Sequence, residues 1–322
     1  MSFWSKHPYI MKEMDKVEDT LVKAVKTRVK IIEEASLDLL NAGGKRIRPA
    51  LTVICAHLGT YDEKKVIPLA AALELFHMAT LIHDDIIDNA ERRRGVETAQ
   101  SKYGKDIAVY TGDYLFSKAF ILASKADDGK KLGYLSKYIK SICEGEVAQY
   151  AMKHDTSATT MNYLKRTKYK TALLLAICCQ IGGEAADCHK KVIQNVRKYG
   201  LNLGMAFQIR DDLLDIVGEE EKVGKQLGKD ILEGIYTLPL IYTLQKSPFA
   251  KEALKILEKT AVTRKEAMEV IQIIKKTDGI AYTEDLEKKY YDKAKKCLEH
   301  VPYQQEVDIL MELTLAMEKR IT

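Results

Sequence analysis

The chain has 322 residues, of which 46% are hydrophobic and 30% charged, and its formal net charge at pH 7 is +5. This length is sufficient to bury a large hydrophobic core. The modest positive charge suits anionic small molecules, and the spread of lysines along the chain argues against a nucleic-acid-binding protein, which would carry a basic stripe.

Membrane and secretory signals are weak in this sequence. No uncharged run exceeds 13 residues, which is short of the roughly 18 that indicate a membrane span, and residues 1–8 lack the apolar core of a signal peptide. The six cysteines lack metal-site spacing, so we expect free, mostly buried thiols in a reducing cytoplasm. The predicted location is cytoplasmic.

Helical periodicity dominates the chain. Apolar residues recur at helical spacing, and no proline occurs between Pro68 and Pro239. Because no Gly/Ser/Pro-rich linker separates the segments, the sequence predicts an all-α protein with a single domain over residues 1–322. Predicted interhelical turns lie at residues 127–129, at Gly182–Gly183 and at Gly218.

The first chemically informative segment is residues 43–49, GGKRIRP, between a helix that ends near Leu40 and another that begins at Pro49. Two glycines allow close approach of the backbone to a ligand, and the following cations would bind a diphosphate. A helix-capping glycine pair followed by solvated basic residues is the simpler explanation of this segment taken alone.

An acidic motif of the form DDxxD ends the apolar stretch at residues 73–82. It comprises Asp84, Asp85 and Asp88, and the arginines of residues 92–94 begin four residues beyond it. The first and last aspartates share one face of a helix. Their charges repel each other and are costly to desolvate, so the motif favours a divalent cation.

The same motif recurs as Asp211, Asp212 and Asp215, after a second apolar stretch at residues 203–209. One copy would be weak evidence, since acidic clusters are common on solvated helix faces. Two copies facing one another would form an oxygen-rich cage suited to Mg²⁺ and substrate phosphates. Lys170, Thr171 and Lys225 are further candidates for phosphate contact.

Taken in order, the segments GGKRIRP, HDDIID with ERRRG, KTALLLA, FQIRDDLLD and GKQLGKDI resemble the trans-type isoprenyl diphosphate synthases. Within that family the chain is most similar to the catalytic large component of heptaprenyl or hexaprenyl diphosphate synthase. The resemblance implies helices around a deep central cavity, a homodimer, and in some relatives a small partner subunit. It also implies Mg²⁺, three ions per site, and condensation of isopentenyl diphosphate with an allylic diphosphate such as farnesyl diphosphate.

The resemblance further implies roles for individual residues. The six motif aspartates would be catalytic and bind the metal ions. The allylic diphosphate would be contacted by Arg93, Lys170, Thr171, Gln208 and Lys225. Isopentenyl diphosphate would be bound by Gly44, Lys45, Arg48, His77 and Arg94. One position departs from the family pattern: relatives commonly have Lys in Glu-Gly-Lys-x-Thr-Leu-Pro, where this chain has Ile235.

Product length is expected to depend on Phe76, Ala79 and Thr80, which precede Asp84 by eight, five and four residues. Because Ala79 and Thr80 are small, the resemblance favours a product longer than geranylgeranyl, in the hexaprenyl to heptaprenyl range. The alternatives are a shorter-chain geranylgeranyl or farnesyl diphosphate synthase and a class I terpene cyclase.

The cyclase would carry a different second motif, from which Asp211, Asp215 and Glu219 differ only in the middle position. It would not need the second set of basic anchors. Two remoter alternatives are a metal-dependent phosphohydrolase built on His83–Asp84 and a scaffolding subunit with a synthase fold. The phosphohydrolase leaves the second acidic motif unexplained. A scaffolding subunit is expected to lose aspartates that this chain retains.

Overall fold

The computed structural model describes residues 3–126, 130–218, 227–259 and 261–319. Helices account for nearly all regular structure in these ranges, so the all-α prediction is confirmed. The described strands are β1 (Arg92–Arg93) and β2 (Val96–Glu97), which pair antiparallel with Arg92 opposite Glu97.

The chain divides into two compact units. Unit 1 comprises Met1–Ser136, Ile177–Val196 and Tyr303–Glu306, and unit 2 comprises Lys137–Ala176, Arg197–Pro302 and Val307–Thr322. The first acidic motif belongs to unit 1 and the second belongs to unit 2. The prediction of a single domain stays a prediction.

Unit 1 is built mainly from the N-terminal helices. A 3₁₀ turn (Phe3–Lys6) precedes α1 (Pro8–Val25), α2 (Lys30–Asn41), α3 (Ile47–Ala56), α4 (Glu63–Ile87), α5 (Ala99–Tyr103) and α6 (Lys105–Ala126). The central helix is α4, which packs along α6 and against α1 and α3. Asp62 starts it by accepting a hydrogen bond from the backbone N–H of Lys64 at 3.0 Å, which satisfies one of the otherwise unpaired amides of the first turn.

Length and composition would allow α4 to span a membrane, and it is the one described helix of which this is true. Of its most apolar window, 72% is buried inside the protein.

Among the described helices, α7 (Lys130–Ala151), α9 (Leu173–Ala185) and α10 (Lys190–Val217) contribute several residues to each unit, and the last helix contributes its first two residues, Gln305 and Glu306, to unit 1. Unit 2 also contains α8 (Thr160–Thr167) and a π-helical segment (Lys168–Ala172) that leads into α9. Its remaining helices are α11 (Lys229–Leu232), α12 (Leu238–Lys246), α13 (Ala250–Leu257), α14 (Arg264–Lys275), α15 (Gly279–Leu298) and α16 (Gln305–Glu318). A buried apolar cluster of α10, α12 and α14 residues forms its core, with Tyr163 among them.

The predicted turn at Gly182–Gly183 is wrong, because both residues lie inside α9. A Cβ on Gly182 would stand 2.2 Å from the carbonyl oxygen of Thr52, so the glycine permits close helix packing within unit 1. Gly218 does follow the end of α10, whereas residues 127–129 lie outside the described residues. The helix predicted to begin at Pro49 begins at Ile47.

The cysteines only partly match their predicted burial. Cys55, Cys178 and Cys179 are buried thiols, as expected, and burial raises the pKa of Cys178. Cys143, by contrast, is exposed on α7.

Candidate active site

The first acidic motif lies at the C-terminal end of α4. Asp84 and Asp85 occupy the last turn of the helix, and Asp88 is its C-cap residue. Carboxylates at this end oppose the helix dipole, so the motif does not serve to stabilise the helix. Asp88 is exposed, whereas Asp85 retains only 4% of its accessible surface.

Asp85 is paired with Arg93, which stands on the hairpin that follows α4. Arg93 Nε donates to both carboxylate oxygens of Asp85, at 2.9 and 3.0 Å, and Nη2 lies 2.8 Å from Oδ1. A fork-shaped guanidinium matches a carboxylate in this way. Both oxygens of Asp85 are therefore already engaged, and Arg93 neutralises its buried charge.

The basic loop of residues 43–46 is held in an unusual conformation. Gly43 and Gly44 have φ of +75° and +154°, and Arg46 is left-handed at +47°. Arg46 Nη1 lies 3.1 Å from the carboxylate of Glu74, which is buried at 4% exposure. Trp4 Nε1 donates a hydrogen bond to the backbone carbonyl of Lys45 at 2.8 Å. These contacts tie the loop to α4 and to the N-terminal 3₁₀ turn.

Gly44 lies directly against Arg94. A Cβ at Gly44 would meet Arg94 Nη1 at 2.6 Å, and Arg94 donates a hydrogen bond to the carbonyl of Gly43. The structure thus brings together Gly44 and Arg94, two residues predicted to bind the same diphosphate although 50 positions separate them in the chain.

His77 lies on α4 within the influence of the same cations. Burial, followed by the charges of Arg48 and Arg94, holds the pKa of His77 well below its ordinary value, so the imidazole is neutral at pH 7. Arg48 Nε is buried without a hydrogen-bond partner among the described residues. An unpaired buried donor of this kind is costly, and an anionic ligand would satisfy it.

Phe76, Ala79 and Thr80 lie one to two turns before Asp84 on α4. Phe76 is fully buried and packs edge-to-face on two α6 residues, Phe116 and Phe120, at ring-centroid distances of 5.5 and 5.2 Å. Ala79 is also fully buried. The aromatic cluster closes the space between α4 and α6 about 12 Å along the helix from the first aspartate, at 1.5 Å per residue.

In unit 2 the second acidic motif lies near the C-terminal end of α10. Asp212 is 8% exposed, and both its oxygens accept hydrogen bonds, from the hydroxyl of fully buried Tyr163 at 2.7 Å and from the side-chain amide of Gln208 at 2.8 Å. Gln208 in turn accepts a hydrogen bond from Thr171 at 2.5 Å. Thr171 and Gln208, both predicted site residues, therefore form a chain of hydrogen bonds that holds the side chain of Asp212 in place.

Asp230 was not among the predicted site residues, although it lies in the quoted segment GKQLGKDI. Its backbone N–H is 3.3 Å from the carboxylate of Asp215, which caps the start of α11. Burial, and then the charges of Asp212 and Asp215, raise the pKa of Asp230 well above its ordinary value; Lys170 and Arg166 oppose the shift. An acidic residue beside the start of a short helix gives no periodic signal, so only the fold reveals this third carboxylate.

Lys170 and Thr171 belong to the π-helical segment that joins α8 to α9. A π turn adds a residue to the helical repeat and changes the direction of the side chains it carries, and such turns are frequent at functional sites. Thr171 is buried and Lys170 is exposed, which suits a cation that meets a ligand. Lys225 and Glu219 lie outside the described residues.

The donor sets suit magnesium. The charges of Asp212 and Asp215 act on Asp230, and burial, the largest cause, raises the pKa of Asp212 as well. A divalent cation would relieve the repulsion between ionised carboxylates. Among the described residues no three His, Cys, Asp or Glu already surround one metal position.

Comparison with known proteins places this geometry in context. The profile of the family described as Polyprenyl synthetase matches residues 29–274. Heptaprenyl diphosphate synthase component 2 of Geobacillus stearothermophilus is 37% identical over 320 residues, covering 99% of each chain.

Two solved structures have closely similar folds. Heptaprenyl diphosphate synthase from Staphylococcus aureus aligns with a TM-score of 0.92 and 36% identity, covering 97% of this chain and 99% of the other. Polyprenyl synthase from Caulobacter crescentus, solved with calcium and isoprenyl diphosphate, aligns with a TM-score of 0.91 and 35% identity, covering 97% and 96%.

Proposed function

The chain belongs to the polyprenyl synthetase family and is a prenyltransferase, a trans-polyprenyl diphosphate synthase, and we propose that it extends farnesyl diphosphate to a hexaprenyl or heptaprenyl product. The observation that carries the family's chemistry into this chain is the pair of acidic motifs, each with one buried aspartate whose two oxygens are engaged within the protein.

Enzymes of this family require a divalent metal. We assign magnesium to both motifs, with three ions per site, and expect the ions to polarise the diphosphate leaving group. Asp85 and Asp212 are held by hydrogen bonds within the protein and position each motif. The proposed metal ligands are the six motif aspartates, Asp84, Asp85, Asp88, Asp211, Asp212 and Asp215. Asp230 joins them as a further carboxylate.

The basic residues divide between the two substrates. Arg93, Lys170 and Lys225 are assigned to the allylic diphosphate, with Thr171 and Gln208 acting through Asp212. The cluster of Gly44, Lys45, Arg48, His77 and Arg94 is assigned to isopentenyl diphosphate. Support comes from the close approach of Gly44 to Arg94, from the unpartnered Nε of Arg48 and from the neutral His77, which leaves the anion to the arginines.

The reaction requires ionisation of the allylic diphosphate away from water and attack by the double bond of isopentenyl diphosphate on the allylic cation. Holding the second diphosphate at fixed cations orients that double bond, which supplies much of the rate advantage. A proton then leaves the new chain. The departing diphosphate is its proposed acceptor, since neutral His77 is assigned to substrate binding and the motif carboxylates to metal.

Product length is proposed to depend on the wall of α4 below the first motif. A growing apolar tail passes the small side chains of Ala79 and Thr80 and then meets the cluster of Phe76, Phe116 and Phe120. Elongation of the prenyl chain slows when its end reaches this aromatic cluster, which forms the floor of the space for the tail.

The test is product mass after incubation with farnesyl diphosphate, isopentenyl diphosphate and Mg²⁺. Ala79→Phe is expected to shorten the products. Phe76→Leu keeps an apolar side chain, opens the floor and should lengthen them, with Phe249→Leu in unit 2 as a matched control. Unchanged products in both α4 variants would refute the floor, and a wild-type protein that leaves isopentenyl diphosphate unconsumed would refute the condensation itself.

The partners and the compartment are proposed on the same basis. The homologues are named as component 2 of their enzyme, which favours a second, small subunit in addition to a homodimer of this chain. We propose a cytoplasmic location. Assays with and without an extract of the source cell would show whether a second component raises turnover.

A further inference from the structure

Arg166, on α8, is a half-buried cation that no sequence motif singled out. Its Nη2 donates to the carbonyl oxygen of Tyr236 at 3.0 Å, and its guanidinium carbon lies 5.3 Å from the ring centre of Tyr163. Within the described part of the chain this guanidinium makes no ion pair. Arg166 therefore uses one of its five N–H donors on a backbone oxygen, and its charge acts on the carboxylates of Asp212 and Asp230 without forming an ion pair with either.

The neighbours of Arg166 lead directly to the second acidic motif. The ring beneath the guanidinium belongs to Tyr163, and the hydroxyl of that same ring binds Asp212 at 2.7 Å. The guanidinium of Arg166 is thus separated from Asp212 by the side chain of Tyr163. Arg166, Tyr163 and Tyr236 also line a cavity of about 190 Å³ in unit 2, which is large enough to admit part of an anionic ligand.

The backbone that Arg166 holds is the segment around Ile235. The N–H of Ile235 donates to the carbonyl oxygen of Asp230 at 2.8 Å, and the next residue accepts the hydrogen bond from Arg166. Position 235 therefore lies in the short backbone segment that hydrogen bonds to Asp230 and Arg166 hold in place. A lysine at 235 would place its ammonium group in this neighbourhood; the isoleucine brings no charge.

We propose that Arg166 supplies the positive charge that position 235 lacks, and that it binds the diphosphate of the allylic substrate at the second acidic motif. Its planar fork of donors matches phosphate oxygens, and its partial burial strengthens such a contact. The inference rests on the proposed function, because the anion it binds is the diphosphate of that reaction.

The experiment compares four variants with the wild type: Arg166→Met, Arg166→Lys, Arg166→Met combined with Ile235→Lys, and Lys251→Met as the control. Lys251 is an exposed cation on α13 that does not line the cavity, so its loss changes the net charge equally. Inorganic pyrophosphate with Mg²⁺ is titrated calorimetrically onto each full-length protein, and KM is measured separately for farnesyl and isopentenyl diphosphate.

Loss of one charge-assisted hydrogen bond predicts about tenfold weaker pyrophosphate binding and a similar rise in the allylic KM for Arg166→Met. Arg166→Lys and the double variant should recover most of the loss, while Lys251→Met and the isopentenyl diphosphate KM stay within about twofold. A purely structural role for Arg166 would not be rescued by a charge at position 235.

Three results would overturn the inference: Arg166→Met binding within twofold of the wild type, a double variant as weak as Arg166→Met, or Arg166→Lys as weak as Arg166→Met. The last comparison also serves if Arg166→Met does not fold. A wild type that binds no pyrophosphate and consumes no isopentenyl diphosphate would instead refute the proposed function.

Discussion

The contact between α10 and the π-helical segment depends on a glycine. A Cβ on Gly204 would lie 2.5 Å from the Cα of Ala172, the last residue of the π segment, and 3.1 Å from its Cβ. Gln208 lies one helical turn after Gly204 and accepts the 2.5 Å hydrogen bond from Thr171. Close approach at Gly204 and the hydrogen bond at Gln208 therefore hold the same segment.

Gly204→Ala is expected to push the π segment away from α10. Overpacking against backbone costs about 1–3 kcal/mol, and loss of the Thr171–Gln208 hydrogen bond adds about 1 kcal/mol. The helix preference of alanine over glycine returns about 1 kcal/mol. The net destabilisation is thus about 1–3 kcal/mol. We also expect a raised KM for the allylic diphosphate, because the chain of hydrogen bonds that holds Asp212 is broken.

The control is the same substitution at Gly133 in α7, where an added Cβ meets nothing within 4 Å. Gly133→Ala should stabilise the protein by up to about 1 kcal/mol and leave both KM values unchanged. Urea unfolding midpoints and steady-state kinetics measure both variants. If Gly204→Ala proves as stable as Gly133→Ala, the close contact does not determine the placement of Lys170 and Thr171.

Three further predictions concern charges. Asp230→Asn removes a half-buried carboxylate from beside Asp215, so we expect a higher unfolding free energy in EDTA, by about 1 kcal/mol, and a smaller gain on adding Mg²⁺. Equal Mg²⁺ gains in variant and wild type would count against a metal role. The folded-state pKa of His77 is depressed below its unfolded value of about 6.5. The unfolded protein therefore binds the extra proton, and the free energy of unfolding falls as pH drops below about 6.5. His77→Asn should flatten that fall between pH 6.5 and 5, and an unaltered slope would contradict this prediction. Arg93→Met leaves Asp85 unpaired at 5% side-chain exposure, which should cost about 3–5 kcal/mol in urea unfolding at pH 7, whereas a loss below about 1 kcal/mol would show that the pair is not formed.

Local chemical pattern was enough to predict the helical class and a site for magnesium and diphosphate, and the resemblance of the motifs to the isoprenyl diphosphate synthases implied the reaction. Helical periodicity, scarce prolines and two DDxxD motifs are properties of neighbouring residues, and so is the basic loop at residues 43–49. The similarity to heptaprenyl diphosphate synthases confirms the family and the enzyme class. The site residues remain proposals, which the variants above test.

Tertiary structure decided which members of those motifs are already engaged. Spacing treats Asp84 and Asp85 alike, but only packing gives Asp85 its bidentate arginine, and the same holds for Asp212 with Tyr163. The wrong turn at Gly182–Gly183 has the same origin. Glycine disrupts helices on average, yet here it allows close approach to the backbone of α3.

What the sequence by itself determined about this protein is the identity of its chemical groups and their helical periodicity, because both depend on residues close in the chain. What only the folded structure decided is the carboxylate of Asp230 beside Asp215, the contact of Arg166 with Tyr236 and the π turn that carries Lys170. These depend on contacts between residues far apart in sequence. Burial and charge at those contacts are set by packing, and no local pattern encodes them.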